Sequence, residues 1–357
     1  MLNMPNNYQS NKKNMGNRSI YIDPSYVDFN SDGLFKLDDP ILNRDDQLLP
    51  FYRLREELVN NGHVIHTADF LYHSSHDSVS REYYSLGITD KLKKINDDKN
   101  VNLNAFVIME PPVVSPHLYA SLPELTKVFD RVYVHNIDGD GYSLNGVIVE
   151  KLRKFYWPIP YMAVLEPYWS KRDRSKRIVV INGSHKPHAR SGEQYSTRIA
   201  AMVALAKFGA VDLYGRGWSR WWSRAALWLP YWRNRNALMS IYKGSCASKF
   251  EVLQQYDFCL CFENMAMNGY ITEKIFDCLY AGTIPLYLGA PDIGRYIPST
   301  VYIDCRQYSS WHEMWAAVNY MSEAQIEDMR EAGRLFLSSE EVCPFFNSIV
   351  NIVGEDK

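Results

Sequence analysis

From Ile178 to Ile303 the sequence returns again and again to one unit, a short apolar or β-branched run followed by a stretch with helical spacing. Ile178–Ile181 reads as a strand, and Ile199, Met202, Val203 and Ala206 mark the core face of a helix closed by Gly209. Val211–Tyr214, Phe258–Phe262, Ile284–Leu288 and Val301–Ile303 are further strands, and Trp311–Met321 and Glu323–Leu337 two closing helices. Strands separated by helices cannot pair as hairpins, so the pattern predicts an α/β fold with parallel sheets. The first half carries the rhythm more faintly. Strands are expected at Ile20–Ile22, His63–Ile65, Leu103–Met109 and Val132–Val134, with a helix through Phe51, Leu54, Leu58 and Val59 that stops at Gly62. Residues 73–100 are polar and charged, and are expected to form surface helix or loop.

A chain of 357 residues exceeds one ordinary core. Pro158, Pro160 and Pro167 precede a charged run within Tyr156–Arg177, which marks the break. The expected architecture is therefore two Rossmann-like domains facing across a cleft. Residues 1–18, with six asparagines, are expected to be a disordered tail, 19–157 an N-terminal Rossmann-like domain, 158–177 a linker, and 178–357 a C-terminal Rossmann-like domain with the closing helices. In open parallel sheets ligands bind beyond the carboxyl ends of the strands.

The formal net charge of −2 gives no global field for nucleic acid, so attraction to phosphates must be local. The six cysteines show no zinc spacing and are read as reduced thiols, with one or two disulfides as the weaker alternative. Cys259 and Cys261 alternate within one apolar run and should share a buried strand face. No window approaches the ~20 apolar residues of a membrane span. A cytoplasmic location is expected, and the sequons at Asn17 and Asn182 then carry no meaning.

Cys261–Pro298 reads CFENMAMNGYITEKIFDCLYAGTIPLYLGAPDIGRYIP. A buried strand delivers Glu263 and Asn264 to the sheet edge, and a loop with Gly269 leads into a helix capped by Thr272 and ended by Gly282. A helix N-terminus attracts anions. Lys274 in the first turn opposes the helix dipole yet suits a phosphate, Glu273 can accept from ribose hydroxyls, and Tyr270 offers a flat face. The bland alternative is an ordinary βα unit whose Glu273 and Lys274 are solvated.

The segment resembles the donor-binding signature of the family-ten α1,3/α1,4-fucosyltransferases: FEN, a spacer, Y-[VI]-T-E-K, then A-G-T-[VI]-P-[VL]-[YV]-L-G-[AS]-P and I-P. Arg198, Leu205, Lys207, Phe208, Gly209, Val211, Asp212, Tyr214 and Gly215 resemble a second family stretch. The N-terminal half is similar only in patches. The resemblance implies a GT-B fold in which residues 19–157 bind the acceptor and 178–357 the GDP-sugar, and a donor site of Arg198, Asn264, Tyr270, Glu273, Lys274, Asn182 and Glu263, with Arg198 and Lys274 on the diphosphate and Glu273 on the ribose.

Asn104–Pro112 reads NAFVIMEPP, a strand ending in Glu110 before two prolines that stop pairing. A half-buried carboxylate at a cleft is suited to take a proton. The family carries E-[SP]-P after a similar strand, which implies that Glu110 is the base; a strand-end ion pair is the alternative. The implied reaction is inverting transfer of L-fucose from GDP-fucose to an oligosaccharide hydroxyl, α1,3 or α1,4 on a GlcNAc- or glucose-type sugar. No metal is obligatory, with Mn²⁺ or Mg²⁺ stimulation left open. Transfer of another GDP-sugar in surface polysaccharide synthesis, or a non-catalytic nucleotide- or carbohydrate-binding protein, are the alternatives.

Two further signals compete. Asp138-Gly139-Asp140 spells a D-x-D that holds a metal–diphosphate in other transferases, but Gly139 and Gly141 favour a turn. Gly215–Arg235 holds five Trp and five Arg without an acid, and Trp218, Trp221, Trp222, Ala225, Trp228 and Leu229 follow helical spacing. Core packing, sugar stacking and peripheral membrane contact through Trp218–Trp232 all fit; the last would suit a lipid-linked acceptor.

Overall fold

The computed structural model describes residues 17–72, 80–220 and 228–354. The tail assigned to residues 1–18 therefore falls almost wholly outside the described residues, as do residues 221–227 of the Trp/Arg segment.

The described residues form two six-stranded sheets. The first contains β1 (Ser19–Asp23), β2 (Val64–Thr67), β3 (Arg81–Ser85), β4 (Val101–Val107), β5 (Arg131–Val134) and β6 (Leu152–Lys154), in the order β2-β1-β3-β4-β5-β6. The second contains β7 (Ser175–Ile181), β8 (Val211–Tyr214), β9 (Tyr242–Gly244), β10 (Tyr256–Phe262), β11 (Ile284–Leu288) and β12 (Ile303–Asp304), in the order β12-β11-β10-β7-β8-β9. Every pairing is parallel. The apolar runs of β7 and β10 follow from this, since both faces of each sheet are covered by helices and all of β10 is buried.

Strand order reverses between β1 and β3 in the first sheet and between β7 and β10 in the second. A crevice opens beyond the carboxyl ends of strands at such a reversal, because the flanking crossovers depart to opposite faces.

Three expectations change. Residues 81–85, expected to be surface helix or loop, form β3, paired to β1 on one side and β4 on the other. Its leading charges hid it: Arg81 pairs with Asp98 at 2.9 Å, Glu82 with Arg18 at 2.6 Å, and Tyr83 and Tyr84 supply the buried surface. The strand expected at Val301–Ile303 is displaced, since Ser299–Val301 is a single 3-10 turn ahead of β12. Most consequentially, the last helix, Ser348–Gly354, leaves the C-terminal half. Its Ile349, Ile352 and Val353 enter the core of the first sheet with Ile20, Phe51, Leu54 and Phe155, and Arg18 Nη2 donates to Val353 O at 2.9 Å. The six cysteines are unpaired, with Cys259 and Cys261 buried on β10.

Candidate active site

The helix Glu273–Ala281 begins beside the end of β10, and an ion pair fixes its first turn. Glu263 is fully buried. Its carboxylate accepts from Thr272 N at 2.8 Å, from the Thr272 hydroxyl at 2.9 and 3.0 Å, and from Lys274 Nζ at 2.9 Å. Thr272 holds the N-cap position, but its hydroxyl serves Glu263 rather than a helix N–H. Lys274 also donates to Thr272 Oγ1 at 2.8 Å and lies 3.8 Å from Glu273. Burial alone would lower the Lys274 pKa; the Glu263 and Glu273 carboxylates reverse this and raise it. A lysine facing the wrong end of the dipole is thus stabilised by a carboxylate from the neighbouring strand.

Arg198, on the helix Tyr195–Ala206, converges on the same place. It is buried, donates through Nη2 to Phe262 O at 2.6 Å and Glu263 O at 3.1 Å, and has a buried Nε without a partner among the described residues. Burial lowers its pKa. Lys274 and Arg198 therefore meet at Glu263, one on its carboxylate and the other on its backbone.

Asn182 and Gly183, just past β7, line a cavity of about 200 Å³ with Glu273, Lys274 and Asp277. Asn182 N donates to Tyr214 O at 3.0 Å, and Asn182 O accepts from Trp218 Nε1 at 2.6 Å. Trp218 is therefore buried and spent on this loop, which removes it from any membrane-facing surface; Leu229 and Trp232 are exposed. Asn264 is half-buried, its backbone carbonyl accepting from Gln194 N at 3.0 Å. Tyr270, expected to show a face, is buried in a cluster with Val113, Tyr195, Met265 and Met267.

Glu110 lies three residues beyond β4. With Glu273 and Asp277 it lines a cavity of about 360 Å³ to which both halves contribute. Burial pushes its pKa up to about 7, opposed by Lys274 and assisted by Glu273 and Glu263.

Sequence reasoning passed over Lys249 and Asp277. Lys249 borders the cavities of about 200 and 360 Å³ and a third of about 270 Å³, and its ammonium pairs with Asp277. Asp277 stands one turn after Glu273, an i,i+4 spacing that signals a shared face; Lys249 gave no signal. The site is accordingly less cationic than expected. Lys274 and Lys249 have each recruited a carboxylate, because a lone charge out of water is costly.

Asp138-Gly139-Asp140 forms a turn. Asn136 Oδ1 accepts from Asp138 N at 2.9 Å and Asp140 N at 3.0 Å, and Gly139 and Gly141 have φ of +84° and +78°. Asp140 then accepts from Asn268 N in the other half at 2.7 Å.

Residues 174–330 match the family described as glycosyltransferase family 10 (fucosyltransferase), C-terminal. An α-(1,3)-fucosyltransferase of Helicobacter pylori is 35% identical over 74 residues, 21% of this chain and 16% of that protein. A GDP-fucose protein O-fucosyltransferase 3 of Xenopus tropicalis is 46% identical over 107 residues, 29% of this chain and 20% of that one. The aligned stretches thus span no more than about a fifth of these relatives. A crystal structure of an α1,3-fucosyltransferase superposes with a TM-score of 0.51 at 16% identity, covering 98% of this chain and 93% of that one. The shared architecture is GT-B, two parallel sheets with their helices facing across a cleft.

Proposed function

The chain carries the C-terminal domain of glycosyltransferase family 10, the fucosyltransferases, and on that premise we propose that it transfers L-fucose from GDP-fucose to an acceptor hydroxyl with inversion. The observation that supports this reading best is the position of Glu110, a carboxyl poised near neutral pH, in one cavity with Glu273 across the domain seam. The acceptor oxygen attacks the anomeric carbon while its proton passes to Glu110. The bond from that carbon to the β-phosphate oxygen breaks, and its electron pair leaves with GDP.

In this reading Lys274 meets the diphosphate with its third N–H, two being spent on Glu263 and Thr272. Arg198 stabilises the same charge from behind, Glu273 accepts from the ribose, and Asn182 and Asn264 shape the wall. Glu263 and Tyr270 act from beneath by holding Lys274 and the loop. Charge stabilisation at the leaving group is commonly the largest contribution to such a reaction. We assign no obligatory metal, because Asp140 is committed to the backbone of Asn268.

The proposed acceptor is an oligosaccharide, joined α1,3 or α1,4 at a GlcNAc- or glucose-type sugar. The Xenopus relative's name makes a folded protein or peptide the competing acceptor. GDP-fucose is to be assayed against a glycan array and a peptide panel, with EDTA and with Mn²⁺. Fucosylated glycan formed in EDTA is expected. Turnover only with GDP-mannose, loss of activity in EDTA, or GDP binding without any product would each overturn the corresponding part. Peripheral membrane contact would run through Leu229 and Trp232, and failure to float with anionic liposomes would exclude it.

A further inference from the structure

The backbone around Glu110 has little to hold it. Ile108 N still donates to Tyr133 O at 2.9 Å, but the two residues after Glu110 are prolines and donate nothing. Downstream, Pro111 O accepts from Val114 N and Ser115 N, which anchors the far side. On the near side the Met109 carbonyl meets the ring of His135, with Nε2 at 2.7 Å. A carbonyl only accepts, so Nε2 carries the proton, and burial, which disfavours the charged ring, leaves the neutral tautomer whose other nitrogen bears a lone pair. That nitrogen, Nδ1, is buried and has no partner among the described residues. An orphaned acceptor costs stability, so a residue that keeps one needs a reason.

The surroundings of His135 supply it. The residue is fully buried one position past β5. Its ring stands edge-on to Tyr270 of the donor loop at 4.7 Å and 81°, and edge-on to Phe155 at 5.1 Å. Its backbone carbonyl is so close to Gly269 that a Cβ there would come within 2.6 Å. One residue thus touches the strand end that presents Glu110, the loop that precedes Lys274, and the start of the segment joining the two halves.

We propose that His135 is a positioning residue for Glu110, holding the Met109 carbonyl with Nε2–H while its ring sets the distance to the Tyr270 loop. The inference rests on Glu110 being the base. It assigns no proton transfer to His135, which stays neutral throughout.

The test compares His135→Phe, His135→Gln and Glu110→Gln in the full chain. Rates with GDP-fucose and N-acetyllactosamine are followed across pH, alongside GDP binding and thermal melting. Loss of the clamp should lower kcat of His135→Phe by about 10²-fold while donor KM stays within about twofold. The ionisation limb near pH 7 should move to lower pH as Glu110 gains water, and His135→Gln, which retains an N–H donor, should recover most of the loss. A folded His135→Phe with wild-type kcat and an unmoved limb overturns the proposal, as does a folded His135→Gln no better than His135→Phe. Loss of activity in Glu110→Gln alone leaves the base reading standing; wild-type turnover by Glu110→Gln removes both.

Discussion

Glu263 and Lys274 illustrate how one residue's environment decides another's chemistry. A buried ammonium without its carboxylate is an uncompensated charge, and breaking such a pair typically costs about 3–5 kcal/mol. Glu263→Gln is expected to lower the unfolding free energy by an amount in that range, while Glu263→Gln combined with Lys274→Met should recover part of the loss without restoring turnover. Guanidinium melts and GDP-release assays on the three proteins check this. Glu110 gives a second expectation. Its base form accumulates as pH rises through about 7, so kcat/KM should climb across that value and flatten above it, and Glu110→Gln should lose about 10²–10⁴-fold. A third concerns His135, whose pKa burial depresses to about 3. The unfolded chain then binds the proton that the folded one refuses, so the stability this ring contributes is present above pH 6.5 and lost as pH falls toward 3. His135→Gln should unfold less steeply over that window, as acid titration by circular dichroism can register.

Among the elements, the helix Glu273–Ala281 was the most legible, because its sequence punctuates both ends. Gly282 has φ of +70°, and a Cβ there would meet Trp169 Cδ1 at 2.8 Å. Gly282→Val is expected to cost about 1–3 kcal/mol through this backbone strain, with a crowding contribution on top, read from a melting curve. Strands rich in Val, Ile and Phe were equally plain. β3 was not, since its charges look like surface until Arg18 and Asp98 are brought to them from 64 and 17 residues away. The site divides in the same way. Motif residues next to each other in the chain could be singled out from the sequence, and so could Glu110 from its strand end. Lys249 and His135 could not, because their importance comes from which other segments they touch, and pairwise proximity across 26 to 204 residues leaves no local periodicity. Glu263 was placed correctly at the sheet edge, but that both carboxylate oxygens would be used up could only be seen once Thr272 and Lys274 folded back over it.

At the scale of the molecule, the helix Ser348–Gly354 changes what each half depends on. Full burial of an aliphatic side chain contributes about 1.5–3 kcal/mol, and Ile349, Ile352 and Val353 all lie in the first sheet's core. A chain ending at Asn347 should therefore lose amide-exchange protection in β1, β3 and β4, while β7 and β10 keep theirs. Equal loss in both sheets would contradict the assignment. The seam is also tied by shorter contacts: Asp45 of the N-terminal half accepts from Ser248 Oγ at 2.6 Å and Lys249 N at 3.1 Å, beside the cavities that Lys249 borders.

The polypeptide thus passes between the lobes twice, once along the proline-bearing stretch after β6 and once on the way back to its final helix. Two tethers side by side permit a swing about the line that joins them and resist a twist about either one. Under the function proposed above, an opening that admits a nucleotide sugar is expected to follow that one axis and to bring Glu110 back to the same place on closing.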